Sequence, residues 1–72
     1  MAFNQYTVER FLEKCSNRDL LVNLWDLDDY EDSYPVCEFN IKNDSRASKF
    51  YQWEIEKFEI DRDGTLNLWI FH

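Results

Sequence analysis

Histidine is all but missing from these 72 residues; the single one, His72, stands last in the chain. Without a second histidine, no Cys-His or Ser-His pair can be assembled, because no placed base would activate the nucleophile. Apolar runs are short, and none approaches the ~20 residues that a helical bilayer span requires. The opening Met1-Ala2-Phe3-Asn4-Gln5 lacks a charged stretch leading into an apolar one, so no secretion signal is expected. The expected compartment is the cytoplasm, where Cys15 and Cys37 should remain thiols. Glycine and proline occur once each, at Gly64 and Pro35. No linker or low-complexity tract divides the chain, so residues 1–72 read as one small domain.

The most informative absence is basic. Between Asp19 and Ile41 there is no Lys or Arg, yet the window holds seven acids: Asp19, Asp26, Asp28, Asp29, Glu31, Asp32 and Glu38. The eight acids elsewhere meet eight bases, so the whole formal charge of −7 belongs to this window. Five of the acids crowd into Asp26-Leu27-Asp28-Asp29-Tyr30-Glu31-Asp32. Such a run repels itself and adds nothing to a core. Its charge excludes direct binding to nucleic acid or anionic lipid, both of which present phosphates. A basic partner is the natural complement.

A chain this short buries only about 60% of the surface its unfolded form exposes. Aromatic residues, 18% of the total, compensate, since each buried ring removes roughly 150–250 Å² from water. Thr7 can cap a helix on which Val8, Phe11, Leu12 and Cys15 share one face, with Asn17, tolerant of the left-handed conformation, as its stop. Leu20 to Leu27 reads as a strand, the acidic run with Ser33, Tyr34 and Pro35 as a loop, and Val36 to Ile41 as a second strand. Asn43-Asp44-Ser45 is cap chemistry for a second helix carrying Ala47, Phe50 and Tyr51 on one face. Beyond it, either the helix runs on or a β-bulge near Glu56-Lys57 shifts the alternation. Asp61-Arg62-Asp63-Gly64 is a hairpin turn, and Thr65 to Phe71 is a strand. The expected fold is α+β in the order α-β-β-α-β-β, a four-stranded antiparallel sheet with two helices on one face.

Two segments echo each other: Val22-Asn23-Leu24-Trp25-Asp26-Leu27 and Leu66-Asn67-Leu68-Trp69-Ile70-Phe71. They fall at different strands of the two halves, which reads as shared strand design rather than a tandem repeat. In each, the aliphatic residues belong against the helices, and the set that mixes Asn with Trp points the other way. Two helices about 10 Å wide cover one face of such a sheet and leave the second open. Trp25, Trp69 and Phe71 then shield one another in a small second core, join two copies, or meet a different partner.

Glu59-Ile60-Asp61-Arg62-Asp63-Gly64 matches the opening of a calcium loop, but Ile70 stands where the bidentate glutamate belongs and strands flank it. The Asp26–Asp32 run lacks the loop glycine. A carboxylate pair such as Asp28 with Glu31 would need one member desolvated to do acid–base work, and five neighbouring acids favour a wet loop. No catalytic residue, metal ligand or cofactor is expected. A solvating role for the acids competes with an interface, which Trp25, Tyr30 and Tyr34 beside them favour. In extended chain Asp26 and Asp28 lie about 6.6 Å apart, near two ~3.4 Å steps of a DNA strand.

The opening Thr7-Val8-Glu9-Arg10-Phe11-Leu12-Glu13-Lys14 and the closing Trp53-Glu54-Ile55-Glu56-Lys57-Phe58-Glu59-Ile60-Asp61-Arg62-Asp63-Gly64-Thr65-Leu66-Asn67-Leu68-Trp69-Ile70 are similar in style to short acidic accessory proteins of phages and mobile elements. Some of these are anti-CRISPR inhibitors or DNA mimics. The resemblance is one of general plan and transfers no residue roles. It implies a non-enzymatic inhibitor acting in the host cytoplasm on a basic nucleic-acid-binding protein such as a CRISPR effector. The expected binding residues are Trp25, Asp26, Asp28, Asp29, Tyr30, Glu31, Asp32 and Tyr34. Glu54 and Glu56, flanked by Lys49 and Lys57, are expected to stand apart from them. The alternative is a homodimeric structural or regulatory module joined through Trp25, Trp69 and Phe71.

Overall fold

The structure, a computed structural model, describes residues 6–28 and 34–72. Thr7, in extended conformation, accepts the Arg10 N–H on its hydroxyl at 3.3 Å and starts helix α1 (Val8–Glu13). Val8 and Leu12 are buried, with Phe11 and Cys15 packed beside them, the face anticipated from their spacing. The helix closes through tightened bonds from Lys14 N–H to the Phe11 carbonyl and from Cys15 N–H to that of Leu12. It thus ends at Glu13, with Lys14 as its cap, before the expected stop at Asn17. Gly64 is the only described residue with positive φ, so Asn17 adopts no left-handed cap; its side chain accepts the Asp19 N–H at 3.0 Å instead.

Strands β1 (Leu21–Asp26), β2 (Cys37–Asn40), β3 (Glu54–Ile60) and β4 (Leu66–Phe71) form one sheet in the spatial order β2-β1-β4-β3. The β1–β2 and β3–β4 pairs are antiparallel, but β1 and β4 run parallel, so the sheet is mixed rather than antiparallel. The cause lies in the link between the halves. β2 and β3 run the same way at opposite edges, and a crossover from Ile41 to Trp53 returns the chain along the sheet. The parallel ladder sets the two echoed segments in register: Asn23 beside Asn67, Leu24 beside Leu68, Trp25 beside Trp69.

The second helix is also different in kind. Ile41–Phe50 is 3₁₀ in character and consists of two short helices that meet at a kink: Asn40 caps the first, and the second starts after the non-helical Asn43 (φ −119°, ψ 42°), where cap chemistry was expected. Long 3₁₀ runs are poorly bonded, which accounts for the break where cap chemistry interrupts the segment. Ala47 and Phe50 still reach the core, where Val22, Leu24, Leu68 and Ile70 are fully buried. A β-bulge does lie between Ile55 and Lys57, and it resolves the two readings of that stretch in favour of a strand. Coverage of the helix-side face is incomplete. α1 is six residues, about 9 Å, and leaves Phe58 and Ile60 at 56% and 61% exposure at the far end of β3. No helix among the described residues is long and apolar enough to cross a membrane.

Candidate protein-binding face

The burial of Val22, Leu24, Leu66, Leu68 and Ile70 against the helices sends Asn23, Trp25, Asn67, Trp69 and Phe71 to the opposite face. No element of the described chain covers that face. Trp25 and Trp69 stack across the parallel ladder with ring centroids 6.3 Å apart and planes 16° from parallel. On the other side of Trp69, its β3 neighbour Lys57 holds its ammonium 4.6 Å from the ring centroid. Both indoles and Phe71 are partly buried by this packing.

One polar side chain holds the aromatic pair. Asn67, only 9% exposed, accepts the Trp25 indole N–H on Oδ1 at 2.9 Å, and the Asn23 amide approaches the same oxygen at 3.5 Å. Its own amide donates to Asp61 Oδ2 at 3.3 Å and to the Thr65 carbonyl at 3.4 Å. Asp61 Oδ1 accepts the N–H groups of Asp63 and Thr65, closing the hairpin in which Gly64 supplies φ +82°. These bonds, that from Thr65 first and then those from Asn67, Asp63 and Gly64, hold the Asp61 carboxyl below its ordinary range.

The acidic segment begins at the end of β1, where Asp26 pairs with Ile70 and so takes the helix-side position next to Trp25 in the strand. Asp26, the last residue of β1, accepts the Asp28 N–H on Oδ1 at 2.9 Å, while Leu27 N–H bonds the Ile70 carbonyl. The chain returns through Tyr34, 76% exposed, to Val36, whose N–H bonds the Leu24 carbonyl at 2.8 Å. Of the expected binding residues, Trp25, Asp26, Asp28 and Tyr34 are therefore placed, at the end of β1 and ahead of β2. Asp29, Tyr30, Glu31 and Asp32 lie outside the described residues.

Further acids join this surface through strand register. Glu38 stands opposite Asn23, Glu54 opposite Phe71 and Glu59 opposite Asn67, so all three share the tryptophan face. Glu54 thus shares the tryptophan face, a consequence of β3 pairing that its flanking lysines do not reveal. Asp19, by contrast, lies at the far end of β1 and pairs with Lys42 at 3.2 Å. Among the described residues Asp26, Asp28 and Glu38 have no such ion pair. Asn67, Asp61 and Lys57 are the contributors that sequence reasoning missed. The only trace of Asn67 is its polar presence in an otherwise apolar strand.

Cys15 and Cys37 are free thiols, and burial raises the pKa of each, partly offset by Arg18 beside the first and by Arg46 and Lys49 near the second. His72 lies over Trp53 at 5.2 Å. Among the described residues no group of three His, Cys, Asp or Glu is arranged to hold a metal ion. Comparison with protein-family models, curated proteins and solved structures found no significant match to this chain.

Proposed function

We propose that this protein is a small non-enzymatic inhibitor of the anti-CRISPR or DNA-mimic kind. It binds a basic nucleic-acid-handling protein in the host cytoplasm through the loop Asp26–Asp32 and the adjoining tryptophan face. The observation that carries this reading is the immobilised Trp25 directly ahead of the acidic run. Its ring is stacked on Trp69 and its N–H is bonded to Asn67, so little side-chain freedom remains to be lost on docking. A rigid ring gives contact area at low entropy cost, and the acids of the Asp26–Asp32 run that follows it in the chain give orientation and attraction to Lys and Arg. Glu38, Glu54 and Glu59 extend the same negative surface across the sheet.

The test is capture from host lysate on immobilised protein, repeated with competing duplex DNA and across salt. A genuine mimic retains a basic nucleic-acid enzyme that duplex DNA displaces. Binding falls by an order of magnitude or more between about 50 and 200 mM salt, as several charge contacts require. Retention that neither DNA nor salt affects refutes the proposal.

A second reading, assembly of two copies through Trp25, Trp69 and Phe71, draws on the partial exposure of these rings. Glu38, Glu54 and Glu59 on the same face weigh against it, since a seam there would crowd the glutamates of both copies together.

A further inference from the structure

The exposed end of β3 has the properties of a self-complementary edge. β3 is the outer strand of the sheet, and only its first half is covered: Thr7 bridges Glu54, and Ile55 N–H donates to the Tyr6 carbonyl at 3.0 Å. From Lys57 onward no described residue pairs with the outer side. Asp61 N–H turns inward to the Thr65 carbonyl, so the alternation of an antiparallel ladder directs the N–H and C=O groups of Phe58 and Ile60 outward. An edge of this kind is a template for another strand unless something blunts it. The usual guards are displaced here. The bulge lies next to the covered half, and the one lysine of the open half, Lys57, is matched by Glu59 two residues on, so that an antiparallel copy can neutralise it.

The side chains beside this edge are apolar on one face and charged on the other. Phe58 and Ile60 stand on the helix side, more than half exposed. Phe58 packs on Phe11 at 5.1 Å along a groove of about 700 Å³ that Tyr6, Cys15 and Ile55 also line. Lys57 and Glu59 stand on the tryptophan side, opposite Trp69 and Asn67.

We propose that two copies of this chain pair antiparallel along Glu56–Ile60 about a two-fold axis at Phe58, joining their sheets into one of eight strands. This goes beyond the inhibitor reading and uses a different surface. Charge selects the register. Pairing about Phe58 sets Lys57 opposite Glu59 of the second copy, twice, and Phe58 against its own counterpart over the two grooves. A shift to Glu59 as centre opposes two glutamates, and a shift to Lys57 opposes two lysines. Because the axis is normal to the sheet, both tryptophan faces remain on the same side and uncovered.

Sedimentation equilibrium of the full chain from about 10 to 500 µM tests this. The mass rises from 8.9 kDa toward twice that value, because a five-residue overlap is small for a stable interface and calls for concentration. Lys57→Glu and Glu59→Lys each hold the chain monomeric across this range, and the double exchange restores the dimer, since opposite charges again face each other. Trp69→Ser leaves the dimer in place. A wild-type monomer at 500 µM overturns the proposal, and dimerisation on deletion of residues 1–5 would then name the chain's own amino terminus as the occupant. A dimer that survives both single reversals, or is lost in Trp69→Ser alone, overturns it equally.

Discussion

Trp25 and Trp69 face each other across the parallel β1–β4 ladder, stacked at 6.3 Å, and Asn67 holds the nearer indole N–H at 2.9 Å. The pair is held by a polar clamp that continues into the β3–β4 turn through Asp61. Stability of the turn and order of the binding face are therefore one problem.

Asn67→Ala tests that coupling. It removes the acceptor for Trp25 and the donor to Asp61, and the expected cost is about 1–2 kcal/mol in urea unfolding, the range for lost hydrogen bonds at a nearly buried group. The near-ultraviolet circular dichroism of the stacked indoles should weaken in the folded variant. An unchanged spectrum together with unchanged stability would show that stacking alone holds the pair.

Asp28 and Asp29 changed together to Asn should leave stability within about 0.5 kcal/mol of wild type or raise it slightly. Asp28 contributes its backbone N–H to the turn at Asp26, which the substitution keeps, and like-charge repulsion falls. A loss above about 2 kcal/mol would make these acids structural.

Acid should act on the β3–β4 turn through Asp61. Its folded pKa is depressed by the Thr65 N–H and the bonds from Asn67, Asp63 and Gly64, so its contribution to stability is present above the unfolded value of about 3.9. That contribution is lost as pH falls through the lower folded value. Asp61→Ala should start less stable near neutrality, and its gap from wild type in urea midpoint should narrow between pH 5 and pH 2. A gap independent of pH would remove ionisation from the account.

Partner binding should depend on which acids are reversed. Asp26 and Asp29 changed to Lys should abolish it, since each reversal substitutes repulsion for attraction. Glu9 and Glu13 on α1, on the other side of the sheet, change the same charge type and should reduce binding far less. Calorimetric titration against the captured enzyme measures both pairs. Equal losses would mean that the partner senses only bulk charge.

The neighbouring lysines of Glu54 suggest an acid outside the site, whereas its pairing with Phe71 puts it on the tryptophan face. That difference is typical of what was and was not legible. Period-two alternation in Leu66–Phe71 separates the aliphatic face from the Asn/Trp face without any knowledge of neighbours. Gly64 marks the turn because only glycine takes its positive φ without strain, and the apolar spacing around Glu56 carries the bulge.

By itself, then, the sequence determined the small α+β character, the first helix, the aliphatic and tryptophan faces of β1 and β4 and the concentration of negative charge between Asp19 and Ile41. These follow from backbone geometry repeated every two or 3.6 residues and from Coulomb repulsion, both local in the chain. Only the tertiary structure decided that β1 and β4 run parallel, that the two echoed segments lie in register, and that Asn67 bonds a tryptophan 42 residues away. It also decided that Phe58 and Ile60 stay uncovered. Those outcomes depend on how far a kinked 3₁₀ crossover carries the chain and how short α1 is, and neither length is written in the pattern of any single strand.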